Sequence, residues 1–221
     1  MGSQAQTSVF LGPAELLLPD ATSLSQTLNN PFDSPLLTEF TTTELSRLSN
    51  LKHHQDKLDF LAAHLGIRQL ARKYHLPTTT QLTLEYVCPN CGSTEHGKPF
   101  LCTQGSRTEV EISLSHSAGY VALACQDGAS QIPGAGGIGI DIENVRLENE
   151  VNLLTWTRTE ALIKAGFGTL DAPVSTPVKG FAVYQFEHPN FIGALCLPEA
   201  SVINLLKLGT DFGNIKTRRR L

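Results

Sequence analysis

The sequence predicts an α+β fold, and three observations carry that reading. Between Gln55 and Tyr74 the apolar residues Leu58, Leu61, Leu65, Leu70 and Ala71 recur along one helical stripe. Downstream, QLTLEYV (81–87), EVEISLSHS (109–117) and YVALACQ (120–126) carry strand signals. A second set begins with GGIGIDIE (136–143), continues with a helical TWTRTEALIKAGF (155–167) and closes on two further strands. Helix and strands, a linker, then strand, helix and strands is an α+β order, with two similar halves packed together.

Taken in order, residues 1–35 carry Pro13, Pro19, Pro31 and Pro35 and read as loop, with a short strand near residues 9–11. A helix starts at Thr42 or Thr43, where a threonine cap precedes Glu44 near the positive end of the dipole. The next helix, over 55–74, stops before Pro77. The run 128–137, with GAS and PGAGG, reads as a linker between an N-terminal half, 1–127, and a C-terminal half, 138–221. After a Pro-rich loop at 171–178, GFAVYQFEH (180–188) and FIGALCLP (191–198) form a hairpin turned at Pro189-Asn190. ASVINLLKLG fits strand or helix.

The chain has 221 residues, 41% apolar and 17% charged, enough to bury a real core. No run of about 18 apolar residues exists, which excludes a transmembrane helix. The N-terminus lacks the charged opening and apolar centre of a signal peptide, and Met1-Gly2 fits equally a myristoylation start or a tag remnant. A cytoplasmic protein is expected, and two fused halves suit a monomer. A net charge of −4 argues against general nucleic-acid binding. Yet Arg47, Lys52, Lys57, Arg68, Arg72 and Lys73 outnumber Asp56 and Asp59 within 45–75, a balance that suits a small polyanion. The basic tail of Lys216, Arg218, Arg219 and Arg220 reads as a solvated end. Five cysteines, an odd number, suggest reduced thiols. Cys88, Cys91, His96 and Cys102 fit a Cys3His zinc set, or else a tight turn at Pro89-Asn90 with small buried thiols.

GGIGIDIE is the stretch with the clearest chemistry. On a strand Ile138, Ile140 and Ile142 share one face, while Gly139, Asp141 and Glu143 share the other. The two acids lie roughly 6–7 Å apart along the strand by its rise per residue, behind a glycine that leaves room for a ligand. Glu160 and Lys164, four apart on the following helix, share a face. A third carboxylate beside Asp141 and Glu143 completes an oxygen set suited to Mg²⁺ and phosphate, and a lysine would neutralise phosphate charge. HGKPF (96–100) fixes Lys98 between a flexible glycine and a stiff proline. LSHSAG (114–119) offers Ser115, His116 and Ser117 to phosphate oxygens; neighbouring Ser115 and His116 face opposite ways, which speaks against a serine hydrolase.

HGKP, LSHS, GIGIDIE and WTRTEALIKAGFG, in this order, resemble the Sfp-type 4′-phosphopantetheinyl transferases. The resemblance runs from the helix near Lys52 to Gly168, over half the chain. It implies two pseudo-symmetric α/β halves with coenzyme A between them. It also implies transfer of the phosphopantetheine arm to a serine of an apo acyl or peptidyl carrier protein, releasing adenosine 3′,5′-bisphosphate. By the same resemblance Asp141, Glu143 and Glu160 are Mg²⁺ ligands, Glu160 also takes the serine proton, and Lys164 meets the coenzyme pyrophosphate. Lys98, Ser115 and His116 are phosphate contacts, Arg68 and Lys52 meet the adenosine 3′-phosphate, and Trp156 anchors the catalytic helix.

The sequence departs from the family pattern twice. Thr159 stands where a lysine precedes the glutamate, and Arg158 lies about 100° round the helix from that position. Only 12 residues separate Glu143 from Trp156, where family members carry a longer segment that grips the carrier. Two alternatives stand beside the transferase: a non-catalytic coenzyme-binding or zinc-stabilised interaction module, and a metal-dependent nuclease. For the nuclease, the final Glu and Lys are four apart on a helix rather than two apart on a strand.

Overall fold

The computed structural model describes residues 5–88, 91–95, 97–128, 137–145, 150–174, 178–207 and 216–220. Among them the chain runs β1 (Gln6–Pro13), α1 (Ala21–Asn29), α2 (Thr42–Asn50), α3 (His54–Tyr74), β2 (Thr83–Val87), β3 (Lys98–Thr103), β4 (Ser106–Arg107), β5 (Val110–Ser117) and β6 (Tyr120–Asp127). It continues through β7 (Gly139–Asn144), α4 (Glu150–Lys164), β8 (Phe181–His188), β9 (Phe191–Pro198), β10 (Val202–Lys207) and β11 (Lys216–Arg220). This is a mixed α+β architecture. No helix among the described residues is long and apolar enough to cross a membrane.

Local chemistry explains the helix starts. The Thr41 hydroxyl accepts from Glu44 N, and the Glu44 carboxylate accepts from Thr41 N at 2.9 Å, a reciprocal capping box that opens α2. α1 falls where loop was expected: Asp20 caps it by accepting from the backbone N–H of Thr22 and Ser23. α4 begins at Glu150 rather than at 155. Lys98 opens strand β3 instead of sitting in a turn.

The strands form two four-stranded sheets, ordered β10-β1-β6-β5 and β11-β8-β9-β7, and a small β2-β3-β4 sheet. β10 is a strand, and it pairs in parallel with β1, Gln6 opposite Val202. The expected cut at 138–221 is therefore not clean, because residues 202–207 return to the first sheet. The basic tail is not a free end either: its backbone forms β11 along β8, Lys216 opposite Glu187. The linker 128–137 lies outside the described residues except for Gly128 and Gly137, as do Met1-Gly2, Pro89-Asn90, His96 and part of the 171–178 loop.

Four layers result. α3 places Ala63, Ile67, Leu70 and Ala71 against Ile112 and Leu123 on one face of the first sheet. The reverse face, with Val9, Leu11, Ala122 and Ala124, packs on Ile138, Ile140, Ile142, Phe186 and Leu195 of the second sheet. α4 covers the far side of that sheet through Ala161, Leu162 and Ala165 on Val183, Ala194 and Cys196. Each buried β7 isoleucine contributes roughly 1.5–3 kcal/mol. That anchoring lets the opposite face of β7 carry acids.

Candidate functional site

β7 is two-faced as its alternation implies. Ile138, Ile140 and Ile142 are fully buried in the core between the sheets. Asp141 and Glu143 point the other way, towards α4. Gly139 shares their face but leaves no room for a ligand: a Cβ there would lie 2.0 Å from Ala161 O and 2.6 Å from Ala165 N. The glycine is required by the close approach of the α4 backbone, which brings that helix down onto the acids.

Asp141 is the centre of the arrangement, with 4% of its surface exposed. Its Oδ1 accepts from Lys164 Nζ at 2.6 Å and from the Ser115 hydroxyl at 2.9 Å. Its Oδ2 is buried with no hydrogen-bond partner among the described residues. A buried carboxylate oxygen normally finds a donor, so this one is an acceptor left unsatisfied. Glu143 accepts from the Ser117 hydroxyl at 3.2 Å. Burial, then the nearby Asp141 charge, pushes Glu143 above the usual carboxylate range. Glu160 is pushed up by burial, with Lys164 pulling it down and the Asp141 charge raising it further. Both glutamates therefore feel the same aspartate.

His116 lies on the α3 side of β5, the face of Ile112 and Leu114. Burial lowers its pKa, Asp59 and Asp56 act to raise it, and the Lys164 charge lowers it, so the imidazole lies within the field of acids from α3 and the lysine from α4. Asp59 is a residue the sequence did not flag. Its Oδ2 accepts from Gly119 N at 2.9 Å and its Oδ1 from Gln55 at 2.7 Å. It thereby ties α3 to the β5–β6 turn, where Ala118 and Gly119 both take positive φ. Lys52 is exposed just before α3.

Four expected roles change. Arg68, expected to meet a phosphate, is 1% exposed, and its donors go to Leu82 O, His64 O, Glu39 O and the Glu44 carboxylate. No donor is left facing solvent. Lys98 pairs with Glu111 at 2.8 Å and donates to Ile138 O at 3.2 Å, which joins β3, β5 and β7. Trp156, expected to anchor α4, is 44% exposed, too open to be the helix's packing anchor. Cys102 pairs opposite Thr83, while Cys88 follows Val87 at the other end of the hairpin. The five-residue offset, roughly 16 Å by strand rise, removes Cys102 from any zinc set with Cys88 and Cys91.

Apart from the Lys164 ammonium, the groups around Asp141 are hard oxygens of carboxylates and serine hydroxyls, which suit Mg²⁺. Among the described residues, however, no three acids, histidines or cysteines are grouped so as to hold an ion as placed. The positive charge at Asp141 comes from the Lys164 ammonium, 2.6 Å from its Oδ1. A cavity of about 510 Å³ elsewhere, lined by Phe10, Leu17, Leu70, Leu123 and Leu206, contains none of these acids. Comparison with protein-family models and with curated proteins returned no match.

Proposed function

We propose that this chain transfers the 4′-phosphopantetheine arm of coenzyme A to a serine hydroxyl of an apo acyl or peptidyl carrier protein. Asp141, Glu143 and Glu160 would hold the Mg²⁺. The observation that carries the reading is Asp141 itself, a buried acid with one oxygen on Lys164 and Ser115 and the other unpartnered. A purely structural ion pair has no reason to leave that oxygen unsatisfied. The order of HGKP, LSHS, GIGIDIE and WTRTEALIKAGFG supports the same assignment. Two four-stranded sheets, each covered by one long helix, support the finer picture of two pseudo-symmetric halves.

In this reading the carrier serine oxygen forms a bond to the phosphorus that bears the pantetheine arm. The bond from that phosphorus to the bridging oxygen breaks, and adenosine 3′,5′-bisphosphate leaves. Bound Mg²⁺ supplies charge neutralisation to the pyrophosphate oxygens. Glu160, with its pKa raised, accepts the serine proton directly or through water. Lys164 turns from Asp141 towards the departing phosphate oxygen, Lys52 supplies positive charge near the adenosine phosphates, and His116 offers a ring N–H to them.

The test is incubation with coenzyme A, Mg²⁺ and a panel of apo carrier proteins drawn from fatty acid, polyketide and nonribosomal peptide systems. A gain of about 340 Da on one serine is expected, a mass set by the transferred arm. No gain on any carrier, with Glu160→Ala indistinguishable from wild type, would sink the reading.

A further inference from the structure

β5 and β7 are the adjoining edges of the two large sheets, yet no backbone ladder joins them. An edge strand presents every second N–H outward. On β7 these belong to Ile140, Ile142 and Asn144, and each meets a serine hydroxyl of β5. Ile140 N donates to Ser113 Oγ at 2.9 Å, Ile142 N to Ser115 Oγ at 3.3 Å and Asn144 N to Ser117 Oγ at 3.2 Å. The residue offset is 27 at every rung, so the strands run parallel. The seam continues upstream on the same face of β5, where Glu111 holds Lys98 and Lys98 donates to Ile138 O.

A hydroxyl can accept from an amide and donate to a carboxylate at the same time. Two of the three do both: Ser115 donates to Asp141 and Ser117 to Glu143. Ser113 has no such contact with either acid. The three serines are buried, so an alanine would strand the corresponding amide in a dry seam.

We propose that Ser113, Ser115 and Ser117 form a hydroxyl clasp that replaces the backbone ladder between the sheets, and that Ser117 is the positioning residue of Glu143. The clasp stands on the contacts alone; the positioning role rests on the cation reading above. Each hydroxyl fixes one β7 amide, and Ser115 and Ser117 hand that order on to the acids. The phosphate contacts expected of Ser115 and Ser117 give way to this inward use.

The experiment compares Ser113→Ala, Ser117→Ala and Ser117→Thr in the full chain, by NMR amide hydrogen exchange and by Mn²⁺ binding as a probe for the cation. Ser117→Ala is expected to speed Asn144 amide exchange and to weaken Mn²⁺ binding, each about tenfold, the scale of one net hydrogen bond to a charged partner. Ser117→Thr keeps the hydroxyl and restores both. Ser113→Ala speeds exchange at Ile140 but leaves Mn²⁺ affinity within about twofold, because it touches no acid. Unchanged exchange at Asn144 and Ile140 overturns the clasp. Equal loss of Mn²⁺ affinity in Ser113→Ala and Ser117→Ala overturns the positioning role. Wild-type protein that binds no Mn²⁺ overturns the cation reading and that role with it, while the exchange rates still decide the clasp.

Discussion

Glu44, His64 and Arg68 form one buried charged cluster, Asp141, Ser115 and Lys164 another, and the two differ in what is left over. In the first, Glu44 takes His64 Nδ1 at 2.7 Å on one oxygen and Arg68 at 2.8 Å on the other, and the latter also accepts from Thr41 N. Arg68 spends its remaining donors on three backbone carbonyls and lies over the Phe40 ring. Burial would raise Glu44, but the His64 hydrogen bond and the Arg68 charge win and bring it to about 2. The second cluster has one oxygen to spare, a half-exposed acid on either side and a partly exposed lysine. A closed network holds a fold together; an open one can accept something. If the proposed site is right, that difference, rather than burial or charge, marks it off from the structural cluster.

The largest effect expected is at the open cluster. Asp141→Ala should reduce Mg²⁺-dependent transfer to background, at least about 10²–10³-fold, with the protein still folded by circular dichroism. Retained turnover would make Asp141 a structural acid like Glu44. At the closed cluster the effect should be on stability instead. Arg68→Ala leaves a buried carboxylate uncompensated and should cost about 3–5 kcal/mol in a urea titration. The milder Arg68→Lys keeps the charge but loses the fork; it should lower stability while leaving the KM for coenzyme A unchanged. A KM rise without a stability loss would return Arg68 to the phosphate site.

Acid should find the closed cluster as well, and the sign follows from two shifts. Glu44 is depressed in the folded state, from 4.5 to about 2, so its contribution is present above 4.5 and is lost as pH falls towards 2. The shift corresponds to about 3 kcal/mol. His64 is held below its usual 6.5 by burial, so the unfolded chain takes up a proton first and stability already declines below 6.5. Glu44→Gln should flatten the window between pH 4.5 and 2. A wild-type stability curve that is level across pH 2–6 would refute the assignment.

The sequence showed most where one element determines the outcome. The α3 stripe and the alternation of β7 are local patterns, and both helix and strand formed where those patterns lie. Arg68 was legible too: seven residues after Leu61 and three after Leu65, it lies on the apolar stripe, a position that signals burial. Its charge alone points to a phosphate, but its place on the stripe puts it in the core. The period-two serines of β5 were visible, but their partner was not, since a hydroxyl facing a phosphate and one facing an edge amide look alike in sequence. Asp59 carried no signal because its acceptor role depends on a turn 60 residues away. Cys102 needed the β2–β3 register, which spacing alone does not supply.

The smallest predicted effect concerns Gly139 and sharpens the contrast furthest. Its position allows the α4 backbone to close on β7, and Glu160 and Lys164 ride on that helix. Gly139→Ala drives a methyl into Ala161 O and Ala165 N, so the helix must shift away. Overpacking of this kind costs about 1–3 kcal/mol, which lowers the Tm by roughly 2–4 °C per kcal/mol in a chain of this size. The displacement should lengthen the Lys164–Asp141 contact of 2.6 Å and carry Glu160 further from β7, so transfer should fall more than stability does. The Glu44–His64–Arg68 cluster packs on α2 and α3, away from the shifted helix, and its acid window should not move. A variant with unchanged Tm and full transfer would mean that α4 does not press on β7, and the open cluster would then have no fixed geometry to act with.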